Sequence, residues 1–185
     1  MLSPVIGGVR FHAQSLVALA NSDVRALCPK ASSNSTISVA TNIYDKLRAG
    51  VTTASPPETQ DLAAALASFL PPDITLALHG NLGAGKTTFV QGLAIGLGVT
   101  ERVTSPTFNL YTVHRGTARL LVHLDAYRIE SAQEVVDLLL EDFLVSPWCL
   151  AVEWPEKIAD WLPPGTLHLD LDITADERHT VRLRR

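Results

Sequence analysis

Gly80-Asn81-Leu82-Gly83-Ala84-Gly85-Lys86-Thr87 has the spacing G-x-x-x-x-G-K-[ST], and each fixed position in that pattern has a chemical reason. Glycines let a loop turn tightly with its amides pointing inward. Those amides grip phosphates together with the positive end of the helix that follows. Lys86 would neutralise the β- and γ-phosphates, and the Thr87 hydroxyl would reach a magnesium ion. The candidate phosphate-binding set is Gly80, Asn81, Leu82, Gly83, Ala84, Gly85, Lys86, Thr87 and Thr88.

Such a loop needs an acidic group for the metal, at the C-terminal end of a neighbouring buried strand. Two acids qualify. The run Leu120–Asp125 ends in Asp125, and Trp148–Glu153 ends in Glu153. His123 lies two residues before Asp125, so on a strand both side chains face the same way. A His–Asp metal pair and a histidine that merely supports the site by hydrogen bonding are both open on sequence alone.

The elements that must position these residues follow from periodicity. Pro56-Pro57-Glu58 opens a helix through Thr59–Leu70 with Leu62, Leu66, Phe69 and Leu70 on one stripe, and Pro71-Pro72 stops it. Ile74–His79 suits a buried strand, and Lys86–Leu97 reads as a helix closed by Gly98. Phe108–Val113 and Arg119–Leu124 read as a hairpin. A helix is expected over Ser131–Val145, with Ser131 as its cap and Glu134 as the capping partner. Trp148–Val152 is a further buried strand, and Thr166–Ile173 with Thr180–Leu183 makes a last strand pair. Strands alternating with helices give the α/β class, a P-loop NTPase-like mixed sheet flanked by helices with antiparallel strands added.

Composition bounds the function. With 185 residues, 46% hydrophobic and 18% charged, the chain can bury a sizeable core and is not wholly disordered. No apolar stretch approaches the roughly 20 residues a membrane-spanning helix needs. Two cysteines, Cys28 and Cys149, are too few for a disulfide scaffold, which points to a reducing compartment and a cytoplasmic protein. The formal charge is −4, and its distribution is uneven. Residues 1–50 hold five Lys/Arg against two Asp/Glu, and the remainder ten against seventeen. That acidic balance argues against autonomous binding of DNA or RNA, whose affinity comes mainly from neutralised phosphates. The domain is expected over residues 51–185, with residues 1–50 a dispensable extension, disordered or lying ahead of the true start. A modest helical pattern runs through Phe11–Leu27, and three readings of the extension stand: a transit peptide, a family-specific addition, or an over-long gene start.

Four blocks in order make a more specific statement. The loop through Thr88-Phe89 is followed by Ser105-Pro106-Thr107-Phe108, then His123-Leu124-Asp125-Ala126-Tyr127-Arg128, then Val152-Glu153-Trp154-Pro155-Glu156. Over about residues 53–185 this succession resembles the TsaE (YjeE) family, small bacterial ATPases of tRNA threonylcarbamoyladenosine synthesis. Asn81 stands where the family usually has Asp, and the family offers no counterpart for the first fifty residues.

The resemblance implies ATP and Mg2+ as ligands, with Thr87 and Glu153 on the metal. Lys86, Asp125 and Glu153 would serve hydrolysis, Asp125 either orienting the attacking water or binding metal through water. Ser105 and Thr107 would belong to a mobile loop that senses the γ-phosphate. Trp154 and Glu156 would sit by the nucleotide, as would the segment near Ser55, Glu58 and Thr59. No arginine finger stands out between Arg102 and Arg128, so turnover in isolation is expected to be slow. The implied partner is the TsaD–TsaB heterodimer, with tRNA contacted only through that complex. A small-molecule P-loop kinase is the main rival, and such enzymes need an arginine-rich lid that is not evident here. A nucleotide-binding adaptor without hydrolysis is the third reading.

Overall fold

The computed structural model describes residues 5–6, 9–10 and 43–184. Its elements are β1 (Val5–Ile6), β2 (Val9–Arg10), α1 (43–49), β3 (Val51–Thr53), α2 (Pro56–Ala67), β4 (Ile74–His79), α3 (Lys86–Gly96), β5 (Tyr111–Arg115), β6 (Leu120–Asp125), α4 (Ala132–Asp137), β7 (Trp148–Glu153), β8 (Leu167–Ile173) and β9 (His179–Leu183). Short 3-10 helices occupy Leu140–Asp142 and Pro155–Trp161. β1 and β2 pair antiparallel. The pattern drawn through Phe11–Leu27 lies outside the described residues, as does Cys28.

Continuous apolar runs become the interior of the sheet, because strands covered on both faces have no solvent side to make polar. β4 and β7 are such strands. The seven-stranded order is β3-β9-β8-β4-β7-β6-β5. The four central strands β8, β4, β7 and β6 run parallel. β5 joins one side antiparallel to β6; on the other side β9 pairs antiparallel with β8 and β3 antiparallel with β9, so that β3 again runs with the central four. This is the expected P-loop NTPase-like mixed sheet with helices on its faces.

Alternate residues of the strands feed two cores. Leu76, Leu78, Leu121, Cys149, Leu169 and Leu171 face α1, α2 and α3. Val122, Leu124, Leu150 and Val152 face α4 and the segment through Ile158 and Trp161. α2 and α3 approach closely because two glycines leave room: a Cβ at Gly92 would stand 2.3 Å from the Gln60 carbonyl oxygen, and one at Gly96 would stand 2.6 Å from that of Ala64. The Cys149 thiol is buried among these residues and pushed up to about 12 by desolvation, so it packs as a small apolar group.

Three expectations need correction. The boundary at residue 50 falls behind α1, whose Tyr44 and Leu47 are buried in the core with Leu66 and Leu93. The Tyr44 hydroxyl donates to the Phe69 carbonyl at 3.3 Å. Burying a side chain of this size contributes about 1.5–3 kcal/mol, so residues 43–49 pack as part of the folded domain. The helix expected to reach Val145 stops at Asp137, because Leu139 takes a left-handed conformation (φ 52°) that a helix cannot pass through. Ser131 nevertheless caps it as expected, accepting from the Glu134 N–H at 3.4 Å. The first strand of the hairpin starts at Tyr111 rather than Phe108, which is 90% exposed on the preceding loop.

Candidate functional site

The loop after β4 turns on three glycines with positive φ: Gly80 at 141°, Gly83 at 83° and Gly85 at 94°. At Gly80 space forbids any side chain as well, since a Cβ would meet the Leu171 carbonyl oxygen at 2.2 Å. Gly85 is the N-cap of α3, and no side chain caps that end. The first amides of an eleven-residue helix therefore lack an intrahelical or capping acceptor, and their positive end faces the loop. Leu82 is 87% exposed at the tip, Thr88 is half-buried one residue past Thr87, and His179 supports the loop with Nδ1 3.2 Å from the Ala84 carbonyl oxygen.

Lys86 curls back on this loop. Its ammonium donates to the carbonyl oxygens of Gly80 at 2.6 Å and Asn81 at 2.9 Å. The same nitrogen lies 3.9 Å from the centre of the Trp154 ring, an attractive placement for a cation. Burial lowers the Lys86 pKa, and the negative charges of Glu153, Glu156 and Asp125 oppose that shift.

The parallel pairing of β6 and β7 sets Asp125 directly opposite Glu153 at the strand ends, and both are buried. Glu153 Oε1 accepts from the Thr87 hydroxyl at 2.8 Å and lies 2.8 Å from His123 Nε2. His123 therefore meets Glu153 rather than Asp125, which disposes of a His–Asp metal pair. Asp125 Oδ2 accepts from Thr107 at 2.7 Å and from Ser105 at 3.1 Å, while its Oδ1 accepts from the Tyr127 N–H at 3.0 Å.

Trp154 follows Glu153 in a left-handed conformation (φ 58°) and packs at 5.1 Å against the Tyr127 ring. Glu156 stands farther out, half-exposed, with Oε2 3.7 Å from His79 Nδ1. Ser55, Glu58 and Thr59 are engaged in starting α2. The Glu58 N–H donates to Ser55 Oγ at 3.5 Å, the Glu58 carboxylate accepts from the Ala54 N–H at 2.9 Å, and Thr59 Oγ1 lies 2.7 Å from Thr53 Oγ1. Arg102 and Arg128 are both exposed.

Sequence reasoning missed one cluster. Beside Gly80 and Asn81 opens a cleft of about 640 Å³ walled by Trp154, Pro163, His79 and His168. His79 Nε2 lies 2.9 Å from His168 Nδ1, and burial, reinforced by the Arg184 charge, lowers both pKa values. Arg184 is itself held by Asp170 at 2.6 Å. His79 adjoins the loop in sequence and could have been noticed, but only the β4–β8 pairing brings His168 to it.

The donor set suits a hard cation. The Thr87 hydroxyl and the Glu153 carboxylate both offer oxygen, and among the described residues no cluster of three or more His, Cys, Asp or Glu could hold a metal unaided. Magnesium is commonly bound with one or two protein oxygens, the rest coming from phosphate and water.

The family described as "Threonylcarbamoyl adenosine biosynthesis protein TsaE" matches residues 53–182. The chain is 37% identical over 129 residues to the tRNA threonylcarbamoyladenosine biosynthesis protein TsaE of Bacillus subtilis, covering 70% of this chain and 80% of that protein. It is 41% identical to the protein of the same name from Streptomyces coelicolor, covering 66% and 87%. Among solved structures, the crystal structure of Bacillus subtilis YdiB superposes with a TM-score of 0.62 at 31% identity, covering 72% of this chain and 82% of that one.

Proposed function

The chain belongs to the TsaE family of threonylcarbamoyl adenosine biosynthesis proteins, and from that premise we propose that it is a slow, partner-dependent ATPase of tRNA threonylcarbamoyladenosine modification. What carries the hydrolytic reading is the meeting of Lys86, Thr87, Glu153 and Asp125 at one end of the sheet. The amides at Gly83 to Thr87 and the α3 N-terminus hold the phosphates of ATP. Lys86 exchanges the carbonyls of Gly80 and Asn81 for phosphate oxygens and stabilises charge that grows during transfer. Thr87 and Glu153 hold Mg2+, which when bound neutralises phosphate charge. Asp125 faces the γ-phosphate and orients water there, and Ser105 and Thr107 leave its carboxylate to contact the phosphate. Trp154 and Glu156 border the nucleotide.

Arg102 and Arg128 are exposed and Arg184 is held by Asp170, so none of the three stands out as an arginine finger and the isolated protein turns over slowly; a finger of that kind is worth roughly 10³–10⁵ in rate. The partner is the TsaD–TsaB heterodimer in the cytoplasm, and tRNA is met only through that complex. The acidic balance of residues 51–185 suits a protein whose main contact is another protein.

The test is phosphate release from ATP with the TsaD–TsaB pair present, alongside ATP affinity by calorimetry. Lys86→Ala should lose both. Unchanged affinity in that variant would overturn the phosphate-loop assignment, and wild-type phosphate release no greater than that of the variant would overturn the ATPase.

A further inference from the structure

Glu153 has two oxygens in unequal situations. Oε1 takes the Thr87 hydroxyl and the His123 imidazole together, each at 2.8 Å. Oε2 has no hydrogen-bond partner among the described residues. His123 is fully buried, and its second ring nitrogen, Nδ1, has no partner either.

An orphaned buried ring nitrogen costs stability, and an apolar residue at this interior position of β6 would avoid that cost. A carboxylate only accepts hydrogen bonds, so the proton at this contact sits on His123 Nε2. With no acceptor near Nδ1, nothing draws the proton to the other side of the ring. The strand register places His123 opposite Ala151, two residues below the Asp125–Glu153 pair, so the imidazole braces Glu153 from the deep side.

We infer that His123 is a positioning residue: its Nε2–H pins Oε1 of Glu153 and thereby leaves Oε2 as the oxygen presented to magnesium. The inference rests on the metal role proposed for Glu153. Thr87 alone would hold Oε1 from one direction and leave the carboxylate free to rotate about that contact. A second donor from β6 removes the rotation, as outer partners of metal ligands generally do.

Two measurements test it. Nitrogen-15 NMR of the ligand-free protein, with the His123 signal assigned by its loss in His123→Gln, should show the Nε2–H tautomer; the Nδ1–H tautomer would overturn the inference whether or not any variant folds. The second is magnesium titration of the binding of a fluorescent non-hydrolysable ATP analogue. His123→Leu should raise the magnesium midpoint about 10–100-fold, more than it changes metal-free affinity, and His123→Gln, whose amide can donate from a similar position, should recover most of that loss. A His123→Leu midpoint within about twofold of wild type, well under the usual outer-shell effect, would refute the role. Glu153→Gln separates the two levels: if it shifts the midpoint and His123→Leu does not, only the positioning role fails, and if neither shifts it, the metal role falls as well.

Discussion

Asp125 and Glu153 end adjacent parallel strands, opposite each other in register and almost equally buried, yet their surroundings differ in kind. Glu153 is bonded to partners set in regular structure, Thr87 in the first turn of α3 and His123 inside β6. Asp125 is bonded on one oxygen to the hydroxyls of Ser105 and Thr107, both on a loop whose next residue, Phe108, stands in solvent. Hydroxyls on an exposed loop can change partners at small cost, whereas partners in a helix and a central strand cannot move without disturbing the core. Two acids with the same address in the sheet are thus suited to different work, one to hold an ion in fixed geometry and the other to exchange contacts.

The sharpest way to break that division is to neutralise each acid without changing its shape. Asp125→Asn should cut phosphate release by about 10²–10⁴-fold, the usual range for a positioned proton-handling group, while leaving the magnesium midpoint near that of the wild type. Glu153→Gln should act through the metal, raising the magnesium needed for half-maximal phosphate release by at least the roughly 10–100-fold that loss of an outer partner produces, with much of the rate returning at saturating magnesium. Magnesium titrations of both variants decide between the roles. If Asp125→Asn shows the same displaced midpoint as Glu153→Gln, the two carboxylates share one ion and the distinction drawn from their partners is wrong.

The features of the site that sequence made legible are the ones fixed locally. The phosphate loop is a run of eight residues whose glycines demand positive φ, and the two acids close apolar strands recognisable by themselves. Ser131 and Glu134 likewise meet across a single helical turn. What was illegible depends on distant chain. Residues 43–49 fall within the first fifty, whose charge balance differs from that of the rest and for which the resemblance offers no counterpart, so they read as the end of an extension. Tyr44 finds its carbonyl partner at Phe69 and Leu47 its cover among α2 and α3, which no local pattern announces. The Leu138-Leu139-Leu140 run carries an apolar period straight across the break at Leu139, so periodicity hid the end of α4. His168 and Arg184 reach His79 only through strand pairing.

The smallest expected effect probes the loop itself. Thr107→Val removes the 2.7 Å bond to Asp125 and leaves the longer one from Ser105 at 3.1 Å. A neutral donor on a charged acceptor is worth about 1.5–3 kcal/mol when buried and less at a half-exposed position; a loss of about 1 kcal/mol corresponds to roughly fivefold faster opening. Hydrogen exchange at residues 105–110 should therefore quicken by about that factor, while the amides of β7 keep their protection because Glu153 and its partners are untouched. Thr107→Ser, which retains the hydroxyl, should exchange like the wild type. The contrast between loop and strand matters more than the size of either number. Faster exchange spreading into β7 would mean that the two acids are mechanically coupled, and unaltered exchange in the loop would mean that Asp125 is not what holds it.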